Sequence, residues 1–457
     1  MYADGVYSSL MVKMAVPEII LPPRIHVDVN DQLGVTILER RSLPTVCFKL
    51  VIWSGASGDS AGKEGLHRCT AKLLTKGTGT YSADDFASAI ESIGGAITVQ
   101  VSYDAVNITG QFLSKDVEFA LDLLADIIND PVFQDVEIDR LRKKTVGSIK
   151  SLYDQPAQLC SIIHNSKLFP EHPYGRPVAG TIDSVNSICR DDIVRLYSEG
   201  FLKCRMQLTV AGDVDSGRIL KKAESLLSDS NVPAGISPDG IAEKRIRGKK
   251  LYLIDKPDMT QAHIRVGTTG IKRNDPDKYK LQVASTILGG SFTSRLNEEI
   301  RVKHGLTYGI RSVISSFRSP GSVQVVTFTK TQSAAQALVL IMKQMEKLAK
   351  TRVSSKELNG AKRYITGLFP LSLETNNKVV HKVSDIYFYG LPQTYLEDYC
   401  RNIAEVTSPD IKQAAETFFS TTDTVITVLG NAEKMVNELG TLSPLIQQKS
   451  TDVYKTD

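Results

Sequence analysis

The chain has 457 residues, too many for one ordinary core, and its length suggests two to four domains. Its 42% hydrophobic and 23% charged residues are the composition of a soluble globular protein, not of a disordered one. The net charge of +4 is spread without a dense basic block, which argues against nucleic-acid binding, and no apolar run approaches the roughly 18 residues of a membrane span.

Residues 1–23 form an N-terminal extension. Lys13 interrupts its apolar stretch and no small-x-small cleavage site follows, so a cytoplasmic location is expected. A periplasmic location stays open if Met11 or Met14 is the true start. The spacing then predicts strands over 34–39 and 45–53 and helices over 65–74 and 82–93, the latter capped by Ser82 and stopped at Gly94-Gly95. Strands follow over 96–103 and 106–112. A helical run begins near Ser114 and breaks at Pro131; another starts near Gln134 with Val136, Ile138, Leu141 and Val146 at mixed spacings. The six cysteines form no C-x-x-C pair and read as reduced thiols in small hydrophobic niches.

One pattern occurs twice. Ile182-Asp183-Ser184-Val185, a helix over 192–199 and a strand over 207–213 make one copy. Ile403-Ala404-Glu405-Val406, a helix over 410–418 and a strand over 425–431 make the other. The second half also opens with strands, over 250–255 and 263–269, and then a helix from Pro276. Self-similarity at roughly 215 residues predicts a duplicated α+β domain. Between the copies, residues 228–240 are rich in turn formers and poor in apolar periodicity. The expected organisation is a first domain over 24–229, a linker over 230–247, a second domain over 248–445 and a polar tail over 446–457.

The run Gly65-Leu66-His67-Arg68-Cys69-Thr70-Ala71-Lys72-Leu73-Leu74-Thr75-Lys76-Gly77-Thr78 resembles the active-site helix of the insulinase-like (inverzincin, M16) metallopeptidases. There an H-x-x-E-H block precedes an L-L/F-x-K-G-T ending. Counting back from Lys76-Gly77-Thr78 puts Arg68 and Lys72 where the two histidines belong and Ala71 where the glutamate belongs. Histidines at i and i+4 share a helix face and can grip one zinc ion, whereas protonated Arg and Lys have no lone pair to offer. Ala71 has no carboxylate to take a proton from water. The family's third ligand lies in a pattern like E-E-I-x-x-x-x-D-x-P. Ile149-Lys150-Ser151-Leu152-Tyr153-Asp154-Gln155-Pro156 matches its second part, so the ligand position falls at or beside Ser148. Arg68 and Lys72 read either as solvated helix charges or as cations filling the space of a zinc ion and pairing with nearby carboxylates. His67 points to a different helix face, and Glu171-His172-Pro173-Tyr174 has the look of a loop-closing motif.

The resemblance covers about 24–437. It extends to Glu171-His172-Pro173-Tyr174-Gly175-Arg176-Pro177, Gly180-Thr181-Ile182 and Leu288-Gly289-Gly290-Ser291-Phe292-Thr293-Ser294-Arg295-Leu296. It implies two homologous α/β-roll domains, each a mixed, mainly antiparallel sheet covered by helices, forming half of a peptidase clamshell. The run Arg301-Val302-Lys303-His304-Gly305-Leu306-Thr307-Tyr308 is similar to the family's R-x-x-x-G-L-x-Y segment. Helical periodicity reaches Val302, Gly305 suits a left-handed cap, and the turn is expected to let Arg301 and Tyr308 approach one another. In relatives this pair binds the substrate carbonyl across the cleft from zinc, and a guanidinium and a phenol suit that task. Leu288-Gly289-Gly290-Ser291 reads as a tight helix-start turn, too short for the glycine-rich loop of a processing-peptidase partner and lacking the Lys-Ser/Thr of a phosphate loop.

The resemblance therefore implies a non-catalytic subunit of a heterodimeric zinc metallopeptidase, inactive alone. It would hold no cofactor of its own; zinc is expected in a partner subunit of the same family. The chain would bind peptide substrate and donate Arg301 and Tyr308 to the partner's zinc site, the peptide adding partly as a strand to a sheet edge of the partner. The alternative is a catalytically inert scaffold or peptide-binding protein. A homodimer stays open where the partner is absent. An active peptidase with a relocated metal site conflicts with the scarcity of His and Glu clusters.

Overall fold

The computed structural model describes residues 16–227 and 246–451. Most of the expected linker, the first 15 residues of the N-terminal extension and residues 452–457 lie outside the described residues. Each half is built on a six-stranded sheet. The first contains β1 (Ile25–Asp28), β2 (Leu33–Glu39), β3 (Thr45–Ile52), β4 (Ala96–Val101), β5 (Val106–Leu113) and β6 (Met206–Gly212), in the order β1-β2-β6-β3-β5-β4. The second contains β7 (Lys250–Asp255), β8 (Gln261–Thr269), β9 (Ile310–Ser315), β10 (Ser322–Lys330), β11 (Val425–Gly430) and β12 (Leu445–Lys449), in the order β12-β7-β11-β8-β10-β9.

Five strands correspond between the halves in order and sense. β2 runs parallel to β6 as β7 does to β11, and the remaining pairs of each set are antiparallel. The sixth strand breaks the repeat. β1 comes before its neighbour in the chain and pairs antiparallel, whereas β12 comes last and pairs parallel to β7. Residues 445–449 are therefore a sheet edge, which corrects the expectation that a polar tail begins at 446. The polar composition misled because an edge strand has only one neighbour and every residue of this one is exposed or half-exposed.

The central strands are buried on both faces, hence their nearly unbroken apolar runs. Val46, Phe48, Leu50 and Ile52 of β3 face helices of their own half, including Leu66–Leu73 and Val117–Asn129. Cys47 of the same strand faces the other way and packs with Val379, Val380 and Val383. These belong to the helix Asn376–Phe388, which comes from the second half and is started by Thr375, whose hydroxyl accepts the Lys378 amide. Each buried valine contributes roughly 1.5–3 kcal/mol. The exchange is reciprocal. The helix Pro156–Leu168 leaves the first half and lies on β8 and β11, packing Leu159 and Ile163 against Ile254 and Leu429. Pro156 stands at its first turn, where a missing amide costs nothing.

Polar contacts fix the seam. Tyr174 donates its hydroxyl to Asp104 at 2.6 Å, and Asp104 also accepts the Arg318 amide of the second half at 2.9 Å. The Ser319 amide donates to the Tyr174 hydroxyl at 3.1 Å. The Glu171-His172-Pro173-Tyr174 segment thus closes the joint between the halves. Arg24 meets Glu397 at 2.9 Å, tying the start of the first half to the second half. Five of the six cysteines are buried; Cys189 is exposed, outside any hydrophobic niche. Among the described residues no helix is long and apolar enough to cross a membrane.

Candidate functional site

The degenerate motif lies on the helix Leu66–Leu73. Asp59 holds its start, accepting the amides of Gly65 at 2.8 Å and His67 at 3.0 Å. His67 Nδ1 meets the same carboxylate at 2.6 Å, and its Nε2 lies 2.9 Å from Ser54 Oγ. Sequence reasoning missed this chain of Ser54, His67 and Asp59. Its order is that of a nucleophile, base and orienting acid, but the base and acid are sealed: His67 is 3% and Asp59 4% exposed, with Ser54 half-buried. A carboxylate committed to two helix-end amides is a cap, and the group builds the helix start.

Arg68 and Lys72 sit one turn apart on the half-buried side of the helix, and Ala71 is fully buried. Lys72 donates its ammonium to the backbone carbonyl of Val99 on the edge strand β4. Burial and then the cations of Arg68, Lys144 and Lys76 pull its pKa below the usual lysine value. Among the described residues neither Arg68 nor Lys72 makes an ion pair, and Lys72 meets a backbone carbonyl instead of a carboxylate. Ser148 is exposed on the helix Asp135–Ser151 and donates back to the Lys144 carbonyl at 3.0 Å. A zinc ion needs deprotonated nitrogen, sulfur or oxygen donors, and these four positions offer two cations, a methyl and a hydroxyl. The residues do not fit the metal. Among the described residues no group of three or more His, Cys, Asp and Glu could hold one elsewhere.

Arg301 falls in the wide helical turn Asn297–Lys303. Gly305 follows at φ 61°, a left-handed conformation that favours glycine, and the Leu306 amide reaches back to the Ile300 carbonyl at 3.0 Å. Thr307 Oγ1 accepts the Gly309 amide at 3.0 Å and leads the chain into β9. The Arg301 guanidinium lies 4.8 Å from the Phe292 ring and lines a cleft of about 500 Å³ on the face of the second sheet. Tyr308 is 87% exposed and directly precedes Gly309, which lines the same cleft. Among the described residues no hydrogen bond joins Arg301 to Tyr308.

The Leu288-Gly289-Gly290-Ser291 run closes a helix instead of starting one, ending the turn Thr286–Gly290 that prolongs the helix Lys278–Ser285. A Cβ on Gly289 would lie 2.6 Å from the Ser312 amide nitrogen, so the glycine is required by the close approach of β9. The cleft also contains two residues that sequence reasoning missed, Arg265 of β8 and Arg311 of β9. Their signal was present: both occupy positions of a strand pattern where the opposite face is apolar, and a charged residue there faces the sheet's other side. Arg265 donates to Gln324 Oε1 at 2.8 Å. His263, its neighbour on the same face, has its pKa lowered by burial and then by Arg265.

The chain is similar over most of its length to zinc proteases and to a non-peptidase homolog. Residues 35–182 match the family model for insulinase (peptidase family M16), and residues 187–365 match the model for the peptidase M16 inactive domain. An uncharacterized zinc protease of Streptomyces coelicolor is 25% identical over 372 residues, covering 80% of this chain and 81% of the relative. The non-peptidase homolog YmxG of Helicobacter pylori is 24% identical over 420 residues, covering 90% and 94%. A solved peptidase M16 inactive domain from Pseudomonas fluorescens superposes with a TM-score of 0.83 at 24% identity, covering 89% of this chain and 98% of that one. Two sheets of matching topology and two adjoining family matches lead to one conclusion: the chain belongs to the M16 (insulinase) peptidase family.

Proposed function

We propose that this chain is the non-catalytic subunit of a two-chain zinc peptidase. It supplies one wall of the cleft, binds extended peptide, and presents Arg301 and Tyr308 to a zinc site on a partner of the same family. The observation that carries this reading is the asymmetry between the halves. The first half carries Arg68, Lys72 and Ser148 where the resemblance puts the metal ligands and Ala71 where it puts the base, while the second keeps Arg301 on an open cleft of about 500 Å³. An exposed phenol beside that cleft is free to reach a peptide held by another chain, and with Arg301 it can donate to a carbonyl oxygen that gains charge in the transition state. The buried free thiols support a reducing compartment, and we assign the chain to the cytoplasm.

A second reading, an inert scaffold or peptide-binding protein, is favoured by the name of the Helicobacter pylori relative, a non-peptidase homolog. Gentle affinity capture of the tagged chain from its native cell, with mass-spectrometric identification, separates the two. Recovery of a near-equimolar relative with an intact H-x-x-E-H helix is the expected result. Tyr308→Phe then lowers turnover by that complex more than it weakens peptide binding. Recovery of the chain alone or as a homodimer, with no such relative, would favour the scaffold.

A further inference from the structure

The cleft of the second half has an unusual charge. Three guanidinium groups, those of Arg265, Arg301 and Arg311, line it, and no Asp or Glu is among its lining residues. Elsewhere in the same half, partly buried arginines are neutralised: Arg273 by Asp385 at 3.1 Å and Arg295 by Glu357 at 2.7 Å. Arg265 is half-buried beneath the helix Pro156–Leu168, yet its partners are neutral, the Gln324 amide oxygen and the Cys160 thiol. Arg301 meets only the face of Phe292 within the described residues. A desolvated guanidinium without a carboxylate is costly, and an anion arriving from outside relieves that cost through charge-assisted, often bidentate, hydrogen bonds.

The shape narrows the anion. A second cavity of about 210 Å³ shares Arg265, Arg311 and Val326 with the first and continues to Tyr103 and Phe317. Together they run the length of β9, whose six residues span roughly 20 Å at about 3.3 Å each. Phe292, Phe328 and Tyr364 add apolar surface between the charges. A small inorganic anion would use one arginine and leave the trough empty, whereas an extended chain with alternating side chains can use both the arginines and the rings.

We propose that this trough binds an acidic extended peptide, with carboxylates on Arg265 and Arg311, a third contact at Arg301, and intervening apolar side chains on Phe292 and Phe328. This names the substrate class for the peptide-binding surface proposed above and rests on that part of it. The test is fluorescence anisotropy of the full chain, without any partner, against two fluorescein-labelled hexapeptides, one alternating Glu and Leu and one alternating Lys and Leu. The acidic peptide is expected to bind at least about tenfold tighter, and Arg311→Gln to weaken it about tenfold, the loss of one good charge-assisted contact. Arg265→Gln should act in the same direction; because Arg265 is half-buried, the exposed Arg311 supplies the variant least able to disturb folding. Equal binding of the two peptides would overturn the proposal, as would acidic binding indifferent to both substitutions. Complete displacement by millimolar inorganic phosphate would also overturn it, identifying a small-anion site. Failure here leaves the capture of a zinc-bearing relative untouched, and failure of that capture leaves this measurement standing.

Discussion

Replacing Tyr174 by Phe isolates the contacts that join the two halves. The ring is 2% exposed, and the packing of Phe169, Tyr103 and Phe317 around it is preserved by the substitution. What is lost is one oxygen with two partners: it donates to Asp104 at 2.6 Å and accepts the Ser319 amide at 3.1 Å. A hydrogen bond to a charged group contributes about 1.5–3 kcal/mol and a neutral one about 0.5–1.5 kcal/mol. Asp104 is 5% exposed and, among the described residues, keeps the Arg318 amide as its hydrogen-bond donor afterwards, so no water readily replaces the hydroxyl. The expected destabilisation is about 2–4 kcal/mol, at least a ~30-fold shift in the unfolding equilibrium. The chain's one tryptophan, Trp53, lies beside Phe388 of the crossing helix, 5.5 Å between rings, and reports the seam directly. Urea unfolding followed by Trp53 fluorescence and by far-ultraviolet circular dichroism measures the change. A shift under about 0.5 kcal/mol would show that the network does not hold the halves together.

Three further outcomes are expected. His164 lies fully buried under the second sheet, its Nδ1 3.0 Å from Thr427 Oγ1, and burial followed by the charge of Arg265 pulls its pKa from 6.5 down to about 3. A neutral folded histidine that charges on unfolding contributes stability that is complete above pH 6.5 and is lost as the pH falls towards 3. The slope approaches about 1.4 kcal/mol per pH unit, and His164→Leu should flatten it between pH 6 and 4 in urea titrations; an unchanged slope would assign the acid sensitivity to other groups. EDTA should leave the melting temperature of the isolated chain where it was, because the four positions of the zinc motif offer no donor set; a drop of several degrees would reveal a structural metal. In the complex captured with a zinc-bearing relative, Tyr308→Phe should reduce turnover with little change in peptide affinity, and identical progress curves for mutant and wild type would take the phenol out of catalysis.

The central strands were legible because burial on both faces leaves continuous β-branched runs. The expected 34–39, 45–53, 207–213 and 425–431 correspond to Leu33–Glu39, Thr45–Ile52, Met206–Gly212 and Val425–Gly430. The chemistry of the degenerate motif needs no fold to be read, since Arg68, Ala71 and Lys72 offer no zinc donor at neutral pH in any conformation. Gly305 announced its left-handed turn because few other residues adopt it without strain. Three things were settled only in the tertiary structure. A period of two tells which side of a strand is apolar but not which element covers it, so the crossing helices Pro156–Leu168 and Asn376–Phe388 could not be assigned to the opposite half. Leu445–Lys449 has the polar look of a tail because an edge strand is held by backbone hydrogen bonds to one neighbour, which composition does not record. Arg265, Arg301 and Arg311 are 36 and 10 residues apart along the chain, and only the pairing of β8 and β9 with β10 gathers their charges over one cleft.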